Sequence, residues 1–192
     1  MWRFLREYIP TKGVPHRPVC LRGMMTHPLV LQLKFAREKF WETLVDISAE
    51  HAIQRFGRMN SISWMIGHLA QFEQWSWLEL PGQPNATTIF EQYDFYAPNV
   101  NPPYDEMVAG WHQVIDAVNP VLEAMTDEDM HIHHMFRGKP IHENVGTRIQ
   151  RHVGHYWYHN GEANAIRQLI DDRKLPQMIG RIPNWAAYDL NA

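Results

Sequence analysis

Four stretches of this chain place apolar residues at three- and four-residue steps, and that periodicity restricts the fold more than any other feature. In the first, Leu33, Ala36, Phe40, Leu44 and Ile47 share a face while Arg37, Glu38, Glu42 and Glu50 fall elsewhere, an amphipathic pattern. Thr26-His27-Pro28 signals its start and Phe56-Gly57 its end. The second begins at Asn60-Ser61, either of which can cap a helix. It runs through Trp64, Met65, His68, Leu69, Phe72, Trp75 and Leu78 to a stop at Pro81-Gly82. A third, seeded after Pro102-Pro103, carries Met107, Trp111, Val114, Val118, Val121 and Met125, with a kink or break expected near Val118 because Pro120 lies inside the pattern. The fourth spans about Asn144 to Asp171 with Val145, Ile149, Tyr156, Ile166 and Leu169, and has Gly146 and Gly154 as weak spots.

Strand signals are sparse. Residues His131 to Pro140 suit a short hairpin or a loop. The tail from Pro176 reads as extended chain, with Ile179, Ile182 and Trp185 the residues to pack on the helices, and the first 25 residues read similarly. The economical architecture is all-α, four helices around one core. Connection lengths refine the topology. Gly57-Arg58-Met59 is short and forces the first two helices antiparallel. The stretch from Pro81 to Pro103 can reach some ~75 Å at ~3.3 Å per residue, more than the ~30 Å of a 20-residue helix. It can return the chain to the same end of the bundle, so an up-down-down-up order is permitted.

Composition narrows the function. The 192 residues fit one domain, and 45% hydrophobic with 20% charged residues is ordinary globular make-up. A net charge of −3 without a basic block gives no electrostatic case for nucleic acid. No apolar run is long enough for a signal peptide or a membrane span, so the expectation is a protein off the membrane, in the cytoplasm. A single cysteine, Cys20, cannot form an intramolecular disulfide and suits a reducing compartment.

The 12 histidines are the residues to follow. His155 and His159 are four apart on the fourth helix, one above the other, a spacing that lets two imidazoles meet one ion. His152 shares the face but stands ~10.5 Å along the axis from His159, which leaves it an assisting or alternative position. His68, in an apolar segment, is the natural third ligand. Three neutral imidazoles leave a coordination position open, the pattern of a catalytic rather than a closed site. Glu162, three residues after His159, can ligate, orient a histidine or act as a base. Spacing alone also fits a surface pair of histidines and a His68 bonded to a carbonyl. Trp64, Trp75, Trp111 and Trp157 read as core. His131, His133, His134 and His142 read as loop residues, and His51 and His112 as helix-surface or flanking residues.

The segment Asn60-Ser-Ile-Ser-Trp-Met-Ile-Gly-His68-Leu-Ala, followed by His155-Tyr-Trp-Tyr-His159-Asn-Gly-Glu162 and Ile166-Arg-Gln-Leu169, resembles the DinB/YfiT-like group over roughly residues 26–172. That resemblance implies an up-down-down-up four-helix bundle, with residues 1–192 forming one such domain whose ends, 1–25 and 173–192, pack on it or stay flexible. It also implies one divalent ion on His68, His155 and His159, zinc or nickel first, with iron or manganese as alternatives. One departure stands out: Glu162 occupies the place where the family pattern expects glutamine. A carboxylate there lowers the charge of the site and can alter metal preference.

Characterised members of the group are similar to transferases that use low-molecular-weight thiols, or to metal-dependent hydrolases. The implied function is therefore a thiol-dependent S-transferase or small-molecule hydrolase. His68, His155 and His159 would hold the ion, Glu162 or His152 would assist, and the partners would be a small substrate and a thiol, with homodimer formation left open. The competing reading is a non-enzymatic, stress-associated bundle with a structural ion. A third is a helical interaction module without metal.

Overall fold

The computed structural model describes residues 26–97, 100–170, 179–180 and 182–187. The expectations for the first 25 residues, Cys20 included, and for most of the tail lie outside these residues. Helix α1 spans Pro28–Leu44, with Pro28 in its first turn and His27 Nδ1 accepting the Leu29 N–H at 3.1 Å. It ends a dozen residues before the Phe56-Gly57 stop that periodicity suggests. Arg167, buried beneath it, donates to the carbonyls of Thr43 at 2.9 Å and Val45 at 3.1 Å. These bonds satisfy carbonyls that a continuing helix would have used itself. Asp46 then takes a left-handed backbone (φ 60°), and Ser48 caps a one-turn helix α2, Ala49–Ala52.

Helix α3, Ile62–Gln74, starts on the Ser61 cap and widens into a π turn at Trp75–Glu79 before Pro81. Helix α4, Tyr104–Glu123, runs through Pro120 without the break expected near Val118. Pro120 and Asp116 are both exposed, so the carbonyl deprived of its partner can turn to water. Helix α5, Val145–Ile170, matches the fourth pattern. Between α4 and α5, β1 (Met135–Phe136) and β2 (Lys139–Pro140) do pair as a hairpin. Its two turn residues, Arg137 (φ 51°) and Gly138 (φ 75°), have the backbone such two-residue turns require.

Side-chain pairings fix the directions. Phe35 meets Trp157 and Thr43 meets Asn160, so α1 and α5 run parallel. Lys34 meets Glu123 and Trp41 meets Trp111, so α1 and α4 are antiparallel. Ser63 Oγ donates to the Pro102 carbonyl at 2.7 Å while Gly67 abuts Met107, so α3 and α4 are parallel. Tyr156 meets Glu73 and His152 meets Ser76, so α3 and α5 are antiparallel. This is the up-down-down-up order.

The long connection makes it possible. It is tied at one end by Gln74, whose amide pairs twice with the Thr87 backbone at 3.0 Å. At the other end Asn101 Oδ1 accepts from Ser61 Oγ at 2.5 Å. Phe90 and Phe95 anchor it in the core. A Cβ at Gly67 would lie 2.2 Å from Met107 Sδ and 2.6 Å from Phe95 Cζ, so the glycine lets α4 and the connection pack closely on α3 one residue before His68. In the tail, Trp185 packs edge-on against Phe35, whereas Ile179 and Ile182 are exposed rather than packed. No helix among the described residues is long and apolar enough to cross a membrane.

Candidate metal centre

His68 projects from the middle of α3, His155 and His159 from successive turns of α5. Because the helices are antiparallel neighbours, the three rings converge. His155 Nε2 lies 3.1 Å from His68 Nε2 and 3.1 Å from His159 Nε2, and all three nitrogens fall within 4.8 Å of one another. A tetrahedral ion with metal–nitrogen bonds of ~2.0–2.1 Å sets neighbouring nitrogens about 3.3 Å apart. The donor set fits a divalent ion, and the three histidines could hold one.

The surroundings decide which ring nitrogen is offered. Glu162 Oε2 lies 3.0 Å from His159 Nδ1, so that nitrogen carries the proton and donates it, leaving the Nε2 lone pair to the cluster. Glu162 is in turn held by the Asn60 N–H, which donates to Oε1 at 3.2 Å. Burial opposes ionisation of this carboxyl, but the bonds from His159 and Asn60 outweigh it and keep it below the ordinary carboxylate range. Trp64, four residues before His68, stacks on that imidazole at 4.5 Å and presents its edge to His159 at 5.9 Å. Burial, with His159 beside it, pushes the His68 imidazole down to about 4. Burial and the two neighbouring rings push His155 to about 3. Both are therefore neutral at pH 7 and can accept an ion without first releasing a proton.

His152 is placed differently. Its ring is buried, stacked on Phe72 at 4.5 Å, and its Nε2 lies 2.9 Å from Ser76 Oγ in the π turn. It stands one turn away from the three converging nitrogens and contacts the centre through Phe72, which meets His155 edge-on at 5.2 Å. Beyond Phe72 the centre opens into a cleft of about 540 Å³ lined by His68, Phe72, Tyr96, Arg151, Gly154 and His155. Two of the three imidazoles thus border space that a small molecule can enter.

Beneath the centre lies a polar network that periodicity does not reveal. Arg37, which the first pattern leaves off the apolar face, is buried and grips the fully buried Glu73 with two guanidinium nitrogens, one at 2.6 Å. Tyr156 donates to Glu73 at 2.8 Å and accepts from Trp111 Nε1 at 3.0 Å, while Asn119 takes a further Arg37 bond at 2.9 Å.

The structure brings together the three histidines and Glu162 that the sequence singles out. Trp64 and Arg151, each four residues before a histidine of the centre, belong beside them. Helical spacing alone could have found both. Tyr96 sits in the long connection, where no periodicity points to it.

No curated protein matches the chain. Residues 32–163, more than half its length, match the DinB superfamily model, and the matched span contains His68, His155, His159 and Glu162. This chain belongs to the DinB superfamily.

Proposed function

We propose that the protein is a metal-dependent enzyme, a thiol-dependent S-transferase or small-molecule hydrolase, working at the three-histidine centre. The observation that carries this reading is the cleft, which reaches His68 and His155. The only metal-competent group among the described residues is this set of three imidazoles, with no fourth protein ligand to close it. A structural site is normally filled by four protein ligands, a catalytic one by three. When bound, a divalent ion would lower the pKa of a water reaching it towards ~7 and would deprotonate a coordinated thiol, so the substrate can bring its own nucleophile.

The chain's residues divide the remaining work. His68, His155 and His159 would hold the ion through Nε2. Glu162 holds the Nδ1 proton of His159 and keeps that ring in register. His152 acts at one remove, supporting Phe72 beneath the cleft. Trp64 shields the buried side of the centre from water.

A non-enzymatic reading draws on one observation. The ligands join α3 to α5, and His159 is buried, so an ion there would also cross-link two helices. Turnover separates the readings. Replacing His68, His155 or His159 singly with Ala should abolish stoichiometric metal. Turnover of a thiol-plus-electrophile or ester panel should vanish with it. Full metal occupancy in all three variants would refute the site. Metal loss without any turnover in the parent protein across that panel would favour the structural reading.

A further inference from the structure

Arg151 is the one cationic side chain lining the cleft, and no carboxylate lines it among the described residues. Its guanidinium lies 4.7 Å from the Phe72 ring centroid, which fixes it at the rim by cation–π attraction. It stands one helical turn before His155, on the same side of α5. Between them Gly154 presents no side chain, and a Cβ added there would meet nothing within 4 Å. The floor between guanidinium and imidazole is therefore open.

Arg151 has one ion-pair partner, Glu143, at 2.8 Å, and both side chains are partly exposed, 45% and 28%. Exposed pairs of this kind add little to stability, so an incoming anion can exchange with Glu143 at little cost. The pair holds Arg151 ready without neutralising the cleft permanently. Phe72 and Tyr96 line the cleft beside His68 with apolar ring surface.

We propose that the cleft takes a substrate carrying a carboxylate on a small apolar or aromatic body, with Arg151 as the residue that selects it. The carboxylate displaces Glu143 and pairs with the guanidinium, while the body lies across Gly154 towards His155. This rests on the catalytic reading of the centre given above. The carboxylate can belong either to the thiol or to the molecule the thiol attacks, since the shared chemistry is the anion.

The test is a binding titration of zinc-loaded and metal-free protein with two matched pairs of probes. One pair is 3-phenylpropanoate and 3-phenylpropanamide. The other is 3-mercaptopropanoate and 2-mercaptoethanol. Each is measured on the parent chain and on Arg151→Gln, Arg151→Lys and Glu143→Gln, with zinc stoichiometry and melting temperature recorded in parallel.

The parent should prefer the acid by about tenfold, the scale of one charge-assisted hydrogen bond. Arg151→Gln should erase the preference at unchanged stoichiometry and melting temperature, and Arg151→Lys should restore part of it. Glu143→Gln should tighten the acid and leave the neutral probe unmoved. Preference in one pair alone assigns the carboxylate to that source.

An acid preference that survives Arg151→Gln, equal binding of acid and neutral probe, or no binding of any probe to the parent would overturn the proposal. Failure of the metal reading would show separately, as absent zinc stoichiometry in the parent. The acid preference of the metal-free protein would still report on Arg151.

Discussion

Two polar clusters sit side by side in the interior, and adjacent residues of α5 feed them. Tyr156 belongs to the Arg37–Glu73 network and His155 to the three-histidine centre. The first is complete within the protein. Its cation meets its anion, and the tyrosine, asparagine and tryptophan occupy their remaining hydrogen-bonding positions. The second is incomplete. Three imidazoles turn ring nitrogens towards one another, and burial keeps two of them neutral. A buried charge pair satisfies itself, whereas lone pairs aimed at a common point call for a cation. The contrast separates the part of the interior that holds the bundle together from the part that is available for chemistry.

The sharpest way to break the comparison is to damage the complete cluster. Glu73→Ala leaves the Arg37 charge buried and unpaired, and should destabilise the fold by about 3–5 kcal/mol in denaturant unfolding. The loss should be the same with and without metal. An effect below about 1 kcal/mol would mean that the network is not structural.

The incomplete cluster should respond in the opposite way. Saturating metal at 100 times its dissociation constant should stabilise the parent by about 2.7 kcal/mol. The same metal should leave the melting temperature of His155→Ala unchanged. Equal metal stabilisation in both proteins would move the binding site elsewhere.

Smaller still is the effect of the carboxylate behind the ligands. Glu162→Ala frees the His159 ring, and should weaken metal affinity about 10–100-fold while the fold persists. Unaltered affinity would remove Glu162 from the centre.

Acid should act on the same two rings. His68 and His155 have folded-state values of about 4 and about 3, below the ordinary imidazole value of 6.5. As pH falls below 6.5 the unfolded chain takes up protons that the folded chain refuses, so stability falls. Metal-free protein should therefore lose stability between pH 6.5 and about 4 beyond what its carboxylates account for. Replacing both histidines with Ala should flatten that part of the curve, and an unchanged slope would contradict the buried neutral state of the rings.

The fold was legible where a single periodicity sufficed. α5 buries Val145, Ile149, Tyr156 and Ile166 as its pattern requires, although Leu169 at its end is exposed, and the length of the Pro81–Pro103 connection permitted the topology that the side-chain pairings establish. It was not legible where distant residues intervene. Nothing near Leu44 announces that Arg167 will terminate α1, since the capping bonds come from more than 120 residues away. Pro120 was misleading for a related reason: whether proline breaks a helix depends on what its freed carbonyl faces, and here that is solvent. Arg37 looked like a surface charge because its partner Glu73 lies on another helix.

The candidate site shows the same division. His155 and His159 are readable from their spacing, and Trp64 and Arg151 are readable in retrospect by the same rule. The tautomer of His159 is not. It depends on a carboxylate geometry that the backbone N–H of Asn60, just ahead of α3, completes.

X-ray absorption of zinc-loaded protein, taken with the zinc content per chain, addresses the convergence of the three rings most directly. One ion per chain should appear, with three imidazole nitrogens at ~2.0–2.1 Å and room for a lighter exchangeable ligand. A sub-stoichiometric ion, or a shell with fewer than three imidazoles, would contradict it.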